Sequence, residues 1–225
     1  MSLLVRAAAL TNYSEVARAA GLDPLRMMYE AGINPSVLRE PDLMIPVERF
    51  GRLLQASATM SGNESFGLSM AESRLLSNLG PVGMLIRDQA TLRDSLGMLM
   101  RYQSILNGAK SLAVEECGGQ VIIREVLIAG SAHQPTRQRV ELAIGVMVRL
   151  IRQLIKADWQ PLHVCFEHPA PRDLSTHQRF FGPKDGVQNN VRSAELTVRA
   201  WPSEFNERFP STSMRDSVRA WALSP

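Results

Sequence analysis

The sequence predicts an α+β domain: a helical N-terminal half followed by a small, mostly antiparallel sheet packed with helices. Three observations carry this. Through about residue 100, apolar residues recur at helical spacing between glycine, proline and asparagine stops. From Leu112 the pattern changes to that of strands, with Leu112–Glu116 and Val121–Leu127 flanking Cys117-Gly118-Gly119-Gln120. Later, Leu162-His163-Val164-Cys165-Phe166-Glu167 reads as a buried strand stopped by Pro169 and Pro171. Helices first and strands afterwards point to α+β rather than to an alternating parallel architecture.

Each element has its own signal. Tyr13 to Ala20 is helical in pattern and ends at Gly21, a residue suited to a left-handed stop. Asp23 caps the next helix, with Pro24 in its first turn, and the helix runs through Met27, Met28 and Tyr29 to Gly32. Asn34-Pro35 repeats that punctuation. Pro46 opens a third helix with Val47, Phe50, Leu53 and Leu54 on one face, closed by Ser61-Gly62-Asn63. Thr91 and Asp94 form a variant capping box ahead of the stripe Leu92, Leu96, Leu99 and Met100. After the hairpin, the longest helix is expected from about Pro135 to Ala157, with Val140, Ile144, Met147, Val148, Ile151 and Ile155 on its apolar side. Arg137 and Glu141 stand one turn apart on it and can pair. The strand at 162–167 then leads to a short helix ending near Gly182. Val187–Val191 and Glu195–Ala200 supply one or two further strands. No internal repeat or low-complexity linker divides the chain.

Composition bounds the class. The chain has 225 residues, 45% of them apolar and 21% charged, which suits one large globular domain or one with a small appendage. No apolar run is long enough to cross a bilayer, and Met1–Ala7 lacks the features of a secretory signal. Two cysteines, Cys117 and Cys165, make no disulfide framework, so a reducing cytoplasm is the expected setting. Net charge is +3, and Lys occurs only at 110, 156 and 184, the rest of the positive charge being Arg. Those arginines are scattered rather than clustered, which argues against an extended nucleic-acid groove.

Several constellations could carry chemistry. His163, Cys165 and Glu167 alternate along one strand and share a face, and all three are competent metal ligands. A small metal-binding protein or enzyme built on them is the alternative reading. No fourth ligand stands at recognisable spacing, and Cys is commonly a small buried hydrophobe. Gly-x-Ser-x-Gly, Walker-type, dinucleotide and His-Glu-x-x-His fingerprints are all absent. The sequence therefore calls for no catalytic residues, no resident metal and no cofactor. Ser14–Leu22 looks like the first half of a helix-turn-helix, but the helix after Asp23 offers Leu25, Met27, Met28 and Tyr29 where a reading helix wants polar side chains. Arg101 and Tyr102, late in the helix before the hairpin, are the candidate wall of a ligand cavity, with His133 and Arg137 near the start of the long helix facing them. Surface or capping duty is the plain alternative for all four.

Eight short pieces, in order, resemble the N-terminal effector-sensing domain of AraC-type transcription regulators. They are Ala20-Gly21-Leu22-Asp23-Pro24, Glu30-Ala31-Gly32-Ile33-Asn34-Pro35, Ile45-Pro46-Val47-Glu48-Arg49-Phe50, Phe66-Gly67-Leu68, Gly80-Pro81-Val82-Gly83, Thr91–Leu96, His168-Pro169-Ala170-Pro171 and Phe180-Phe181. The resemblance implies a cytoplasmic sensor and dimerisation domain over 1–210 that answers to a small-molecule effector and forms a homodimer. It further implies that promoter DNA is read by a separate C-terminal pair of helix-turn-helix motifs. Residues 211–225 are then the start of a linker to that absent part. The polar segment Val187–Ser193 departs from the aromatic-containing strand of the family.

Overall fold

Capping chemistry sets the helical half. The computed structural model describes residues 3–117, 120–128, 136–155, 157–182, 187–189 and 194–198. Helix α1 (Tyr13–Ala19) stops before Gly21, which takes φ +77°. Asp23 accepts the amide hydrogens of Leu25 and Arg26 at 2.9 and 3.2 Å and so starts α2 (Pro24–Glu30). Asn34 caps a short 3₁₀ turn, Pro35–Arg39, in the same way. Helix α3 (Val47–Ser61) ends at Gly62 in the left-handed region. Helices α4 (Phe66–Ala71) and α5 (Pro81–Arg87) are short. Thr91 caps α6 (Leu92–Leu106) through the Asp94 amide, and its hydroxyl also donates to the Asp94 carboxylate at 2.7 Å.

Two strands lie where the sequence shows no strand pattern. β1 (Leu4–Arg6) and β2 (Met44–Pro46) pair antiparallel in front of α3. Three residues are too few for a visible period of two. The principal sheet has five strands: β3 (Lys110–Cys117), β4 (Gln120–Leu127), β5 (His163–Phe166), β6 (Val187–Asn189) and β7 (Ala194–Val198). Their order is β3-β4-β7-β5-β6, antiparallel except for the β5–β6 pair. The predicted hairpin is present, with Cys117 paired to Gln120; its two turn glycines lie outside the described residues. The long helix is α7 (Arg137–Leu154), shorter at both ends than the sequence pattern. Helix α8 (Ser175–Phe181) follows β5 and stops at Gly182. The domain boundary expected at 210 also lies outside the described residues.

Helix α7 is the beam of the molecule. It packs against α3 and α4 of the helical half and against β4 and β7 of the sheet, and twelve of its residues are buried. The approach of α4 to it is close enough to demand glycine on both sides. A Cβ at Gly67 would lie 2.1 Å from the Gln138 carbonyl oxygen, and one at Gly145 would lie 2.6 Å from Ala71 Cβ. Gln138 locks the crossing: its Oε1 accepts the Gly67 amide hydrogen at 2.8 Å and its Nε2 donates to the Glu64 carbonyl at 2.9 Å.

A contrast between two helix-interior glycines follows. Gly145→Ala must push Ala71 or Leu68 aside and is expected to destabilise by about 1–3 kcal/mol. Gly97→Ala in α6, where a Cβ meets nothing within 4 Å, is expected to stabilise by about 0.5–1 kcal/mol from helix propensity alone. Urea titrations of the two variants check the opposite signs.

Candidate functional site

Where α6, the β3–β4 hairpin and α7 meet, the helical half and the sheet do not close completely. A cavity of about 130 Å³ remains. Leu99, Gln103 and Leu106 of α6 form one wall; Arg139, Leu142, Ala143, Val146, Met147 and Leu150 of α7 form the opposite one. Lys110, Glu125 and Leu127 close it from the sheet, and Val5, Arg6 and Arg74 from the N-terminal side. Most of the wall is apolar, with a few charges set into it, as in sites for small molecules.

Those charges are deeply placed. Glu125 occupies an inward position of β4, in phase with Val121 and Ile123, and is fully buried. Lys110 Nζ donates to its Oε1 at 2.7 Å, leaving Oε2 without a partner. Arg74 donates to the carbonyl oxygens of Ala8, at 2.6 Å, and Ala9, while its Nε has no acceptor. Burial pulls Arg74 down to about 10. Arg139 is likewise lowered by burial to about 10, against the opposing pull of Glu48, and its Nη2 donates to the Ile128 carbonyl at 3.3 Å. Gln103 Oε1 is buried and unpartnered.

A second polar cluster surrounds Glu141, on the side of α7 away from this cavity. Arg137 Nε lies 2.8 Å from the fully buried Glu141 Oε1, His177 Nε2 lies 3.1 Å from it and His168 Nε2 lies 3.7 Å from it. Phe166 stacks on the His168 ring at 5.1 Å and meets the His177 ring edge-on at 5.9 Å. Arg137 also lines a more open cavity of about 610 Å³ bordered by Asn63, Glu64, Arg172 and Asp173.

The predicted site residues fall in different places. Arg137 lines the larger cavity; Arg101 and Tyr102 line neither of the two. Arg101 is exposed and lies 5.8 Å over the Tyr102 ring. His133 lies outside the described residues. The cavity wall instead uses their neighbour Gln103, and Lys110, Glu125, Arg74 and Arg139, which sequence reasoning missed. Glu125 did carry a signal, a carboxylate at the core phase of Val121-x-Ile123-x-Glu125. Arg74 carried none.

On β5, Cys165 is buried and His163 half-buried, whereas Glu167 lies just past the end of the strand and is exposed. Among the described residues no three His, Cys, Asp or Glu side chains converge to hold a metal, so the alternative reading finds no ligand set there. Nor does α2 present a reading face. Met27 and Met28 are core, and Arg26 is held by Glu30 at 2.8 Å.

With this geometry in hand, comparison with known proteins gives the class. Residues 21–185 match the family described as the arabinose-binding domain of AraC transcription regulators, N-terminal, and the chain belongs to that family. It is a regulator domain and not an enzyme. The chain is 32% identical over 154 residues to the HTH-type transcriptional regulator VirS of Mycobacterium tuberculosis, in strains CDC 1551 / Oshkosh and ATCC 25618 / H37Rv; this covers 67% of the chain and 45% of VirS. The chain thus spans less than half the length of those relatives. The crystal structure of the transcriptional regulator CdpR from Pseudomonas aeruginosa shares its fold, with a TM-score of 0.55 at 16% identity over 81% of this chain and 56% of that one. No helix among the described residues is long and apolar enough to cross a membrane.

The Glu141 cluster sets a pH dependence. Burial holds His168 below the usual imidazole range, outweighing the upward pull of the Pro169 carbonyl and Glu141, with Arg137 and His177 adding to the lowering. A base with a folded pKa below its unfolded 6.5 takes up protons on unfolding, so its contribution to stability is lost as pH falls below about 6.5. Urea unfolding at about pH 7.5 and about pH 5.5 is expected to show lower stability at the acidic value, and a smaller drop in His168→Gln.

Proposed function

We propose that this chain is the cytoplasmic effector-sensing and dimerisation domain of an AraC-type regulator, with the 130 Å³ cavity as its effector site. The observation that supports it most is where the cavity lies. Its walls come from both layers of the fold, α6 and α7 on one hand and the β3–β4 hairpin on the other. A molecule held there touches both layers, and it biases their arrangement to the extent that it prefers one over another. The regulator acts as a homodimer, and promoter DNA is contacted by a separate C-terminal helix-turn-helix module, a reading that the HTH-type name of VirS supports. Arg137 and its cluster take the role of a relay at the other side of α7, and Arg101 and Tyr102, next to the wall residue Gln103 on α6, that of an outer rim.

Thermal unfolding of the chain against amino acids, organic acids, sugars and fatty acids tests the sensing role. An effector at one hundred times its dissociation constant adds about 2.7 kcal/mol. For a chain of this size, that raises the midpoint by roughly 5–10 °C. A flat response to every class would leave dimerisation as the domain's task, and sedimentation equilibrium reads that directly.

A further inference from the structure

Three buried atoms, each on a residue that lines the smaller cavity, have complementary needs. Arg74 Nε lacks an acceptor, whereas Glu125 Oε2 and Gln103 Oε1 lack a donor. Arg74 is 4% exposed, and its other two nitrogens meet only backbone carbonyls. The remaining cations of the wall have acidic company: Arg6 has Asp42, Lys110 has Glu125, and Arg139 feels Glu48. Among the described residues Arg74 has no carboxylate partner. A buried cation without an anion and a buried carboxylate oxygen without a donor are both costly, and both needs can be met by one molecule.

We propose that the cavity binds a small organic acid with an apolar body and one additional N–H or O–H donor: an α-amino or α-hydroxy acid. Its carboxylate meets Arg74 through Nε, the one guanidinium nitrogen that does not already donate to a backbone carbonyl. Its donor meets Glu125 Oε2 or Gln103 Oε1. Its skeleton lies against Leu99, Leu106, Leu142 and Met147. The size agrees: a cavity of about 150 Å³ holds a benzene, so an apolar body of about four or five carbons fills this one of about 130 Å³. A pentose does not suit it. Its several hydroxyls would face leucine and methionine side chains, with only three unmet buried polar atoms to receive them. A plain amine would leave Arg74 unanswered. The assignment rests on the cavity being the effector site.

Calorimetric titration of the chain with L-leucine, L-2-hydroxyisocaproate, isocaproate, isoamylamine and L-arabinose tests it. Leucine or 2-hydroxyisocaproate is expected to bind. Isocaproate, which keeps the carboxylate but lacks the second donor, should be about 10-fold weaker or more, and the amine and the sugar should not bind. Glu125→Gln separates the two acids: it should weaken the ammonium-bearing one more than the hydroxyl-bearing one. Ala143→Leu fills the cavity without removing a charge and should abolish binding while the fold, followed by circular dichroism, is kept. Binding of arabinose or isoamylamine that Ala143→Leu removes would overturn the acid chemistry but leave the cavity as the effector site. Acid binding that survives Ala143→Leu would overturn the location. Silence from all five compounds overturns the acid assignment, and a flat response to the wider thermal panel is what would overturn the sensing reading itself.

Discussion

Helix α7 can serve both layers of this fold only because α4 lies almost against its backbone. Where Gly67 faces the Gln138 carbonyl and Gly145 faces Ala71 there is no room for a methyl group on either side. The resulting approach lets the Gln138 side chain reach across to both the Gly67 amide and the Glu64 carbonyl. Protein interiors resist volume changes of even one methylene. The crossing therefore fixes the helical half relative to α7, and through α7 relative to the sheet.

Much of this architecture was legible because it rests on local chemistry. Asp23, Asn34, Thr91, Gly21 and Gly62 act where cap and stop residues should, and α7 carries the 3.6-residue pattern that marked it. The β3–β4 hairpin lies where two strand patterns flank a glycine pair in the sequence. Strands β1 and β2 did not show because three-residue strands are made by their partners: the Ala7 amide bonds to Leu43, the Val47 amide to Leu3 and Val5 bridges to Asn107. The insertion of β7 between β4 and β5 is also non-local, and no period in the sequence encodes which strand a late segment joins.

The candidate site was less legible than the fold, for a related reason. A charged residue normally reads as surface, because burying an unpaired charge costs several kcal/mol, on the order of the whole stability of a domain. Arg74, Lys110, Glu125 and Arg139 break that rule together, and each is made tolerable by groups distant in sequence, such as the Ala8 carbonyl for Arg74 and Lys110 for Glu125. Arg101 and Tyr102 were read onto the cavity because they sit on the correct helix. The turn of α6 instead directs Leu99, Gln103 and Leu106 inward, a repeat of three and four residues that passes them by.

Helical geometry gives α7 a second property. Arg139, Leu142, Ala143, Val146 and Leu150 recur every three or four residues and form the stripe that walls the smaller cavity. Arg137 and Glu141 lie about half a turn away from that stripe, with His168 and His177 gathered on Glu141. One stiff helix therefore carries a cavity lined by residues with unmet polar atoms on one face, and on the other a buried carboxylate whose Oε1 takes every contact while its Oε2 has no partner among the described residues. Side chains in such a core have discrete packings rather than a continuum. On that far face the contacts to Glu141 Oε1 run from 2.8 Å for Arg137 to 3.1 Å for His177, with His168 at 3.7 Å, an ionic contact rather than a hydrogen bond. Any coupling between the two faces would have to be reciprocal: protonation of the Glu141 cluster would change the affinity of the cavity for its ligand by the same factor as the ligand changes the proton affinity of the cluster.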